Sequence, residues 1–154
     1  MNEGSIMMKN WKKELITAVI FCSLLSLCGC GLKLGDEYTG EVNTLEGVEL
    51  IVDQESVKPT EISYTIENQS ESDLAYGQDY GLQMEKDGKW YQIISKNDVA
   101  ITLEMLWTPA GSTDNYMISW ESSYGKLPKG HYRIIKSMSD DQQGYFFAGE
   151  FEIK

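Results

Sequence analysis

Cysteine is confined to positions 22, 28 and 30, and none follows. A disulfide framework is thereby excluded from the body of the chain, which has to stand on a hydrophobic core. Histidine occurs once, as His131. A zinc site of the usual kind needs several His or Cys ligands and is excluded. A Ser-His-Asp triad would have to use His131, and no Gly-x-Ser-x-Gly elbow accompanies it. No His-Glu-x-x-His and no Gly-Lys-Ser/Thr motif occurs, and GKLPKG at 125–130 is not a phosphate-cradling loop. Residues 15–29 carry no charge, but fifteen residues fall short of the roughly 20 that span a bilayer as a helix. Basic residues are scarce as well, 13 against 24 acidic, for a net charge of −11. Nucleic acid needs basic patches and is excluded as a partner. The same shortage argues against lying flat on anionic lipid.

What is present begins at the N-terminus. Lys9, Lys12 and Lys13 form a basic cluster ahead of LITAVIFCSLLSLCG. A basic region followed by a short apolar one is the pattern of a secretory signal peptide. Met8-Lys9 opens a more usual signal peptide than Met1, so either Met can be the start. The end of the apolar segment, Leu27-Cys28-Gly29-Cys30, resembles the bacterial lipobox, with Cys30 at the modified place and Cys28 where a smaller residue is commoner. The resemblance implies that the Cys30 thiol takes a diacylglyceryl group and that residues 1–29 are removed. Two acyl chains anchor stably where one holds marginally. The implied location is the cell membrane, on its extracytoplasmic face.

Residues 30–46 are polar, with Gly31, Gly35 and Gly40, and read as the lipidated Cys followed by a flexible tether. Extended, such a tether reaches about 50 Å. From 47 to 154 period-2 patterns dominate. Val48, Leu50 and Val52 alternate with Glu49 and Ile51. Ile62, Tyr64 and Ile66 form another such set, as do Tyr116, Ile118 and Trp120, and then Tyr145, Phe147, Gly149, Phe151 and Ile153. Alternation of this kind marks half-buried strands. Asp87-Gly88 sits between two strand-like runs and suits a tight type I′ hairpin. Residues 68–73 and 140–144 are further turns. Residues 97–107 have spacing that admits a helical turn. The expected core includes Trp90, Trp107 and Trp120.

Short strands between turns predict an all-β antiparallel sandwich. Within GKLPKGHYRIIK, the run Pro128-x-Gly130-x-Tyr132 has the pattern of a tyrosine corner, in which the Tyr hydroxyl bonds back across the turn that opens a strand. Together with YGQDYGLQMEKDGKWYQI (76–93), NDVAIT (97–102) and YFFAGEFEI (145–153), it makes residues from about 58 to 154 resemble a bacterial Ig-like domain. Such domains occur in lipoproteins and in extracytoplasmic parts of Firmicutes membrane proteins, including membrane-peptidase sensors. The resemblance implies an immunoglobulin-like sandwich and transfers no catalytic, cofactor or metal residue.

The function expected is therefore a lipid-anchored, non-enzymatic interaction module with a protein or cell-envelope partner. The alternatives are a sensory or regulatory accessory of a membrane partner, and a cell-wall-acting enzyme built on paired carboxylates. Calcium is a further option, with Asp140 and Asp141 joined by Asp79 or Asp98 as oxygen ligands, although Asp is also ordinary turn chemistry. Tyr76 and Tyr80 flank a GQD loop as candidate exposed aromatics. Trp90 and Tyr91 are consecutive on a strand, one facing the core and the other outward.

Overall fold

Alternating burial builds the strands. The computed structural model describes residues 31–97 and 104–154. Among them are β1 (Leu34–Glu37), β2 (Val48–Val52), β3 (Glu61–Asn68), β4 (Leu74–Tyr76), β5 (Gly81–Lys86), β6 (Lys89–Ile93), β7 (Leu106–Thr108), β8 (Ser112–Ser119), β9 (Gly130–Ser139) and β10 (Gly144–Ile153). In β2, Val48, Leu50 and Val52 are buried while Glu49 and Ile51 face water. In β3, Ile62, Tyr64, Ile66 and Asn68 point inward. β5 and β6 join through Asp87 and Gly88, whose φ values of 55° and 75° are those a two-residue type I′ turn requires.

The strands form two antiparallel sheets. The smaller is β2-β3-β8. The larger runs β1-β6-β5-β9, and β10 pairs with β9 along its whole length, from Gly144↔Ser139 to Ile153↔Gly130. The other edge of β9 is shared by two strands in succession. β5 pairs from Tyr132 to Ile135 and β4 pairs at Met138 and Ser139. Residues 77–80 interrupt what would otherwise be one strand. β7 extends the sheet beyond β4.

The two sheets enclose one core. Trp120 and Tyr132 both stack on Phe151, with ring centroids 5.6 Å and 5.7 Å away. All three rings are almost fully buried. Stacked pairs of this kind add about 0.5–1.5 kcal/mol each beyond the area they bury. The Trp120 indole N–H donates to Pro59 O at 3.0 Å, so the buried polar atom is satisfied. The sheets approach closely at Gly149, where a Cβ would lie 2.7 Å from Leu50 O and 2.5 Å from Leu50 Cδ2.

The tether expected over 30–46 is instead part of the domain, which starts at Leu32 rather than at 47. β1 pairs with β6, and Leu32, Leu34 and Leu45 pack on the core. Beyond β1 the chain leaves the β6 edge, where Tyr38 N–H donates to Trp90 O at 2.8 Å. It crosses the outer face of the larger sheet to the β10 edge, where Asn43 N–H donates to Phe146 O at 2.8 Å. The Asn43 side chain then imitates a strand partner. Its Oδ1 accepts from Ala148 N–H at 2.9 Å and its Nδ2 donates to Ala148 O at 3.2 Å. Polar composition suggested a free linker because it is blind to such pairing across 105 residues.

Other expectations also change. Trp107 is 60% exposed on β7, so of the three tryptophans assigned to the core only Trp120 is fully inside. Tyr76 is buried, not exposed. Neither Trp90 nor Tyr91 is fully buried. Of the segment 97–107, residues 98–103 lie outside the described residues and Leu106 and Trp107 belong to β7.

Candidate functional site

On β9 five consecutive residues, Tyr132 to Lys136, are buried. Strict alternation would leave every second one in water. Burial on both faces means that something covers the outer face, and that cover is the strap of residues 38–43. Tyr132 and Ile134 enter the core. Arg133 and Ile135 face out, under the strap.

Arg133 is held there by three contacts. Its guanidinium carbon lies 4.3 Å from the Trp90 ring centre and 5.3 Å from that of Tyr38. Its Nε donates to Gln83 Oε1 at 2.8 Å. Aromatic faces present negative potential to a cation, and a desolvated contact of this type is worth about 2 kcal/mol. Burial lowers the Arg133 pKa from its ordinary value, opposed by the charge of Glu150 and by Tyr38.

Beside this stack lies His131, with its ring centroid 5.2 Å from that of Trp90. Its Nδ1 is 2.6 Å from Glu85 Oε2 and its Nε2 is 3.2 Å from Glu150 Oε2. The imidazole is thus bracketed by carboxylates from the strands on either side. It lines a shallow depression of about 400 Å³ with Gln54, Glu150, Phe151 and Glu152. Among the described residues the partners of His131 are the carboxylates of Glu85 and Glu150, and no serine hydroxyl bonds to it. The two carboxylates hold the imidazole in place on the surface, and among the described residues no nucleophile is hydrogen-bonded to it.

A second cluster lies within the sandwich. Lys136 is 2% exposed, and its Nζ donates to Gly77 O at 3.0 Å and Asp79 O at 2.8 Å. These carbonyls belong to the break between β4 and β5, where no ladder partner serves them. The ammonium also sits 5.3 Å from the Tyr76 ring centre. Burial lowers the Lys136 pKa to about 8, against the charge of Asp79. The Tyr76 hydroxyl meets those of Tyr116 and Thr108, and Thr108 in turn donates to Asp114 Oδ2 at 2.8 Å. Among the described residues this chain of hydroxyls leaves no buried side-chain polar atom unpaired.

The residues singled out from the sequence fall as follows. The Tyr132 hydroxyl donates to Pro128 O at 2.8 Å, bridging the turn that contains Gly130. Asp87 and Gly88 are the β5–β6 turn. Asp140 Oδ1 accepts from Gln142 and Gln143 N–H and its Oδ2 from the Tyr145 hydroxyl, so both oxygens serve the turn. Among the described residues no three His, Cys, Asp or Glu side chains are grouped to hold a metal ion. Asp98 and the lipobox, Leu27, Cys28, Gly29 and Cys30, lie outside the described residues. Tyr38, Asn43, Arg133 and Lys136 were not singled out. The only sequence signal for the last two is the run YRIIK, whose charges flank a stretch that is apolar on both faces.

The model of the family described as "Bacterial Ig-like domain" matches residues 44–152. The chain belongs to the bacterial Ig-like domain family. The strap and β1 of this bacterial Ig-like domain precede the matched span. A crystal structure of a protein from Archaeoglobus fulgidus is similar at 13% identity, covering 72% of this chain and 98% of that one with a TM-score of 0.28. That likeness is too slight to bear on the site. No curated protein matches.

Proposed function

We propose that this bacterial Ig-like domain is a non-enzymatic interaction module, held on the extracytoplasmic face of the cell membrane by a diacylglyceryl group on Cys30. The observation that carries the reading is the family match over 44–152. The Leu27-Cys28-Gly29-Cys30 motif supports the anchor.

The fold changes what such an anchor does. β1 begins at Leu34, four residues after Cys30. At about 3.5 Å per residue a lipidated Cys30 holds β1 within roughly 14 Å of the headgroups, instead of the 50 Å of a free tether. The partner is then a protein or envelope component at the membrane surface.

Two measurements test the proposal. Cys30→Ser should release the protein from the membrane fraction or leave it unprocessed. Normal processing with full membrane retention would overturn the anchor. Crosslinking of the full-length protein in cells should capture one reproducible partner at the membrane. Turnover of purified cell-wall glycan by the protein would overturn the non-enzymatic role.

A further inference from the structure

The chain is acidic, yet one rim of the domain is not. Lys33 lies just ahead of β1, and its carbonyl accepts from Ile94 N–H at 2.8 Å. Two residues on, Lys96 N–H donates to Ser123 O at 2.7 Å, and Asn97 Nδ2 donates to Ser122 O at 2.7 Å. The loop of Ser122 and Ser123 continues through Gly125, over which the Lys96 ammonium lies, to Lys126. Three segments distant in sequence thus bring Lys33, Lys96 and Lys126 to one rim. All three are exposed. Among the described residues none is in an ion pair. Glu121 is the acidic residue on the same loop. Between Lys33 and Lys96 stands Ile94, 41% exposed, in the space that Gly35 leaves open.

We propose that the rim formed by Lys33, Ile94, Lys96 and Lys126 rests on the anionic surface of the membrane that holds Cys30. This rests on the lipid anchor proposed above. Two observations choose the occupant. Lys33 is three residues from Cys30, so the rim begins where an anchored chain leaves the bilayer. Its charge is opposite to that of anionic headgroups, while the rest of the domain is repelled by them. Each lysine near such a surface strengthens partition about fivefold, within a Debye length of about 8 Å. An anchored domain already held within reach needs only this bias to settle in one orientation. Its acidic remainder, including the outer face of β2-β3-β8 with Glu49, Glu67 and Met117, is left turned to solvent and partners.

The test uses the processed full-length lipoprotein in vesicles of phosphatidylcholine, with or without phosphatidylglycerol. A nitroxide is attached to Ile94→Cys or, as the aqueous reference, to Met117→Cys, a 74% exposed position. On anionic vesicles the label at 94 should be shielded from a water-soluble nickel chelate at least threefold relative to the label at 117. The shielding should fall on pure phosphatidylcholine and in the Lys33→Glu, Lys96→Glu, Lys126→Glu variant, whose fold is checked by circular dichroism. Equal accessibility of the two labels in protein that carries lipid would overturn the orientation and leave the anchor standing. Shielding that persists after charge reversal would overturn the electrostatic contact and leave the short link to the anchor as its cause. Absence of lipid on Cys30 by mass spectrometry would overturn the anchor, and this proposal with it.

Discussion

Two glycines in the larger sheet should answer the same substitution with opposite signs. A Cβ on Gly149 would lie 2.7 Å from Leu50 O, 2.5 Å from Leu50 Cδ2 and 3.0 Å from Val52 Cγ2. The side-chain carbons can turn aside. The carbonyl cannot, because Leu50 is paired with Ile66 in the β2–β3 ladder. Relief therefore requires the sheets to separate locally by a sizeable fraction of an ångström, and gaps of about 0.5–1 Å forfeit a quarter to a half of the dispersion energy of the atoms they part. Over-packing of this kind costs about 1–3 kcal/mol. At Gly81 a Cβ would meet nothing within 4 Å. Neither residue has a positive φ, so at both positions alanine also narrows the unfolded ensemble, a gain of about 0.4–1 kcal/mol. The net expectation is a loss of about 1–2 kcal/mol for Gly149→Ala and a gain of about 0.5 kcal/mol for Gly81→Ala. Urea unfolding followed by tryptophan fluorescence resolves the difference, provided the slope with denaturant is unchanged. A Gly149→Ala protein as stable as Gly81→Ala would refute the claim that the sheets meet at this point.

Three further outcomes follow from the same structure. Tyr132→Phe removes the hydroxyl that bridges to Pro128 O and should cost about 1 kcal/mol in urea unfolding; an unchanged midpoint would show that the turn holds without it. Asn43→Ala loses the side-chain bonds to Ala148 and places alanine at a φ of 58°, for a cost of about 1–3 kcal/mol, whereas Asn43→Gly keeps the backbone conformation and should cost less. Hydrogen exchange should show the strap opening first in both. Lys136 has a folded pKa of about 8, below the usual value of 10.5, so the unfolded chain binds the proton more tightly. Its charge thus opposes folding below pH 8, and stability should rise as pH passes from about 8 towards 10. Above that range the trend reverses. Burial raises the pKa of Tyr64, of Tyr116 and, to about 12, of Tyr80, so these remain neutral in the fold while the unfolded chain ionises. In Lys136→Met the rise should vanish; a rise that survives would assign it to another group.

The legible parts of this protein were those written in neighbouring residues. Period-2 alternation in β2, β3, β8 and β10 follows from the pleat of a strand with one face in the core, and it survives whatever the strand pairs with. The Asp87-Gly88 turn was equally readable, because the positive φ it demands is a local property of those residues. The lack of cysteine after position 30 and the scarcity of histidine likewise weigh against whole classes of chemistry without reference to shape. The strap was illegible. Nothing local distinguishes a polar stretch that floats from one whose Asn43 finds the backbone of Ala148 and whose Tyr38 finds Arg133. The same holds for the bracket around His131, which draws Glu85 and Glu150 from separate strands, and for Lys136, which enters the core because a break in β4–β5 offers it two carbonyls. Charge shows the division most plainly. Summed over the chain it is acidic and speaks against an anionic surface, but only the tertiary structure decides that Lys33, Lys96 and Lys126 share a rim, since electrostatic fields depend on where charges stand in space and not on their order in sequence.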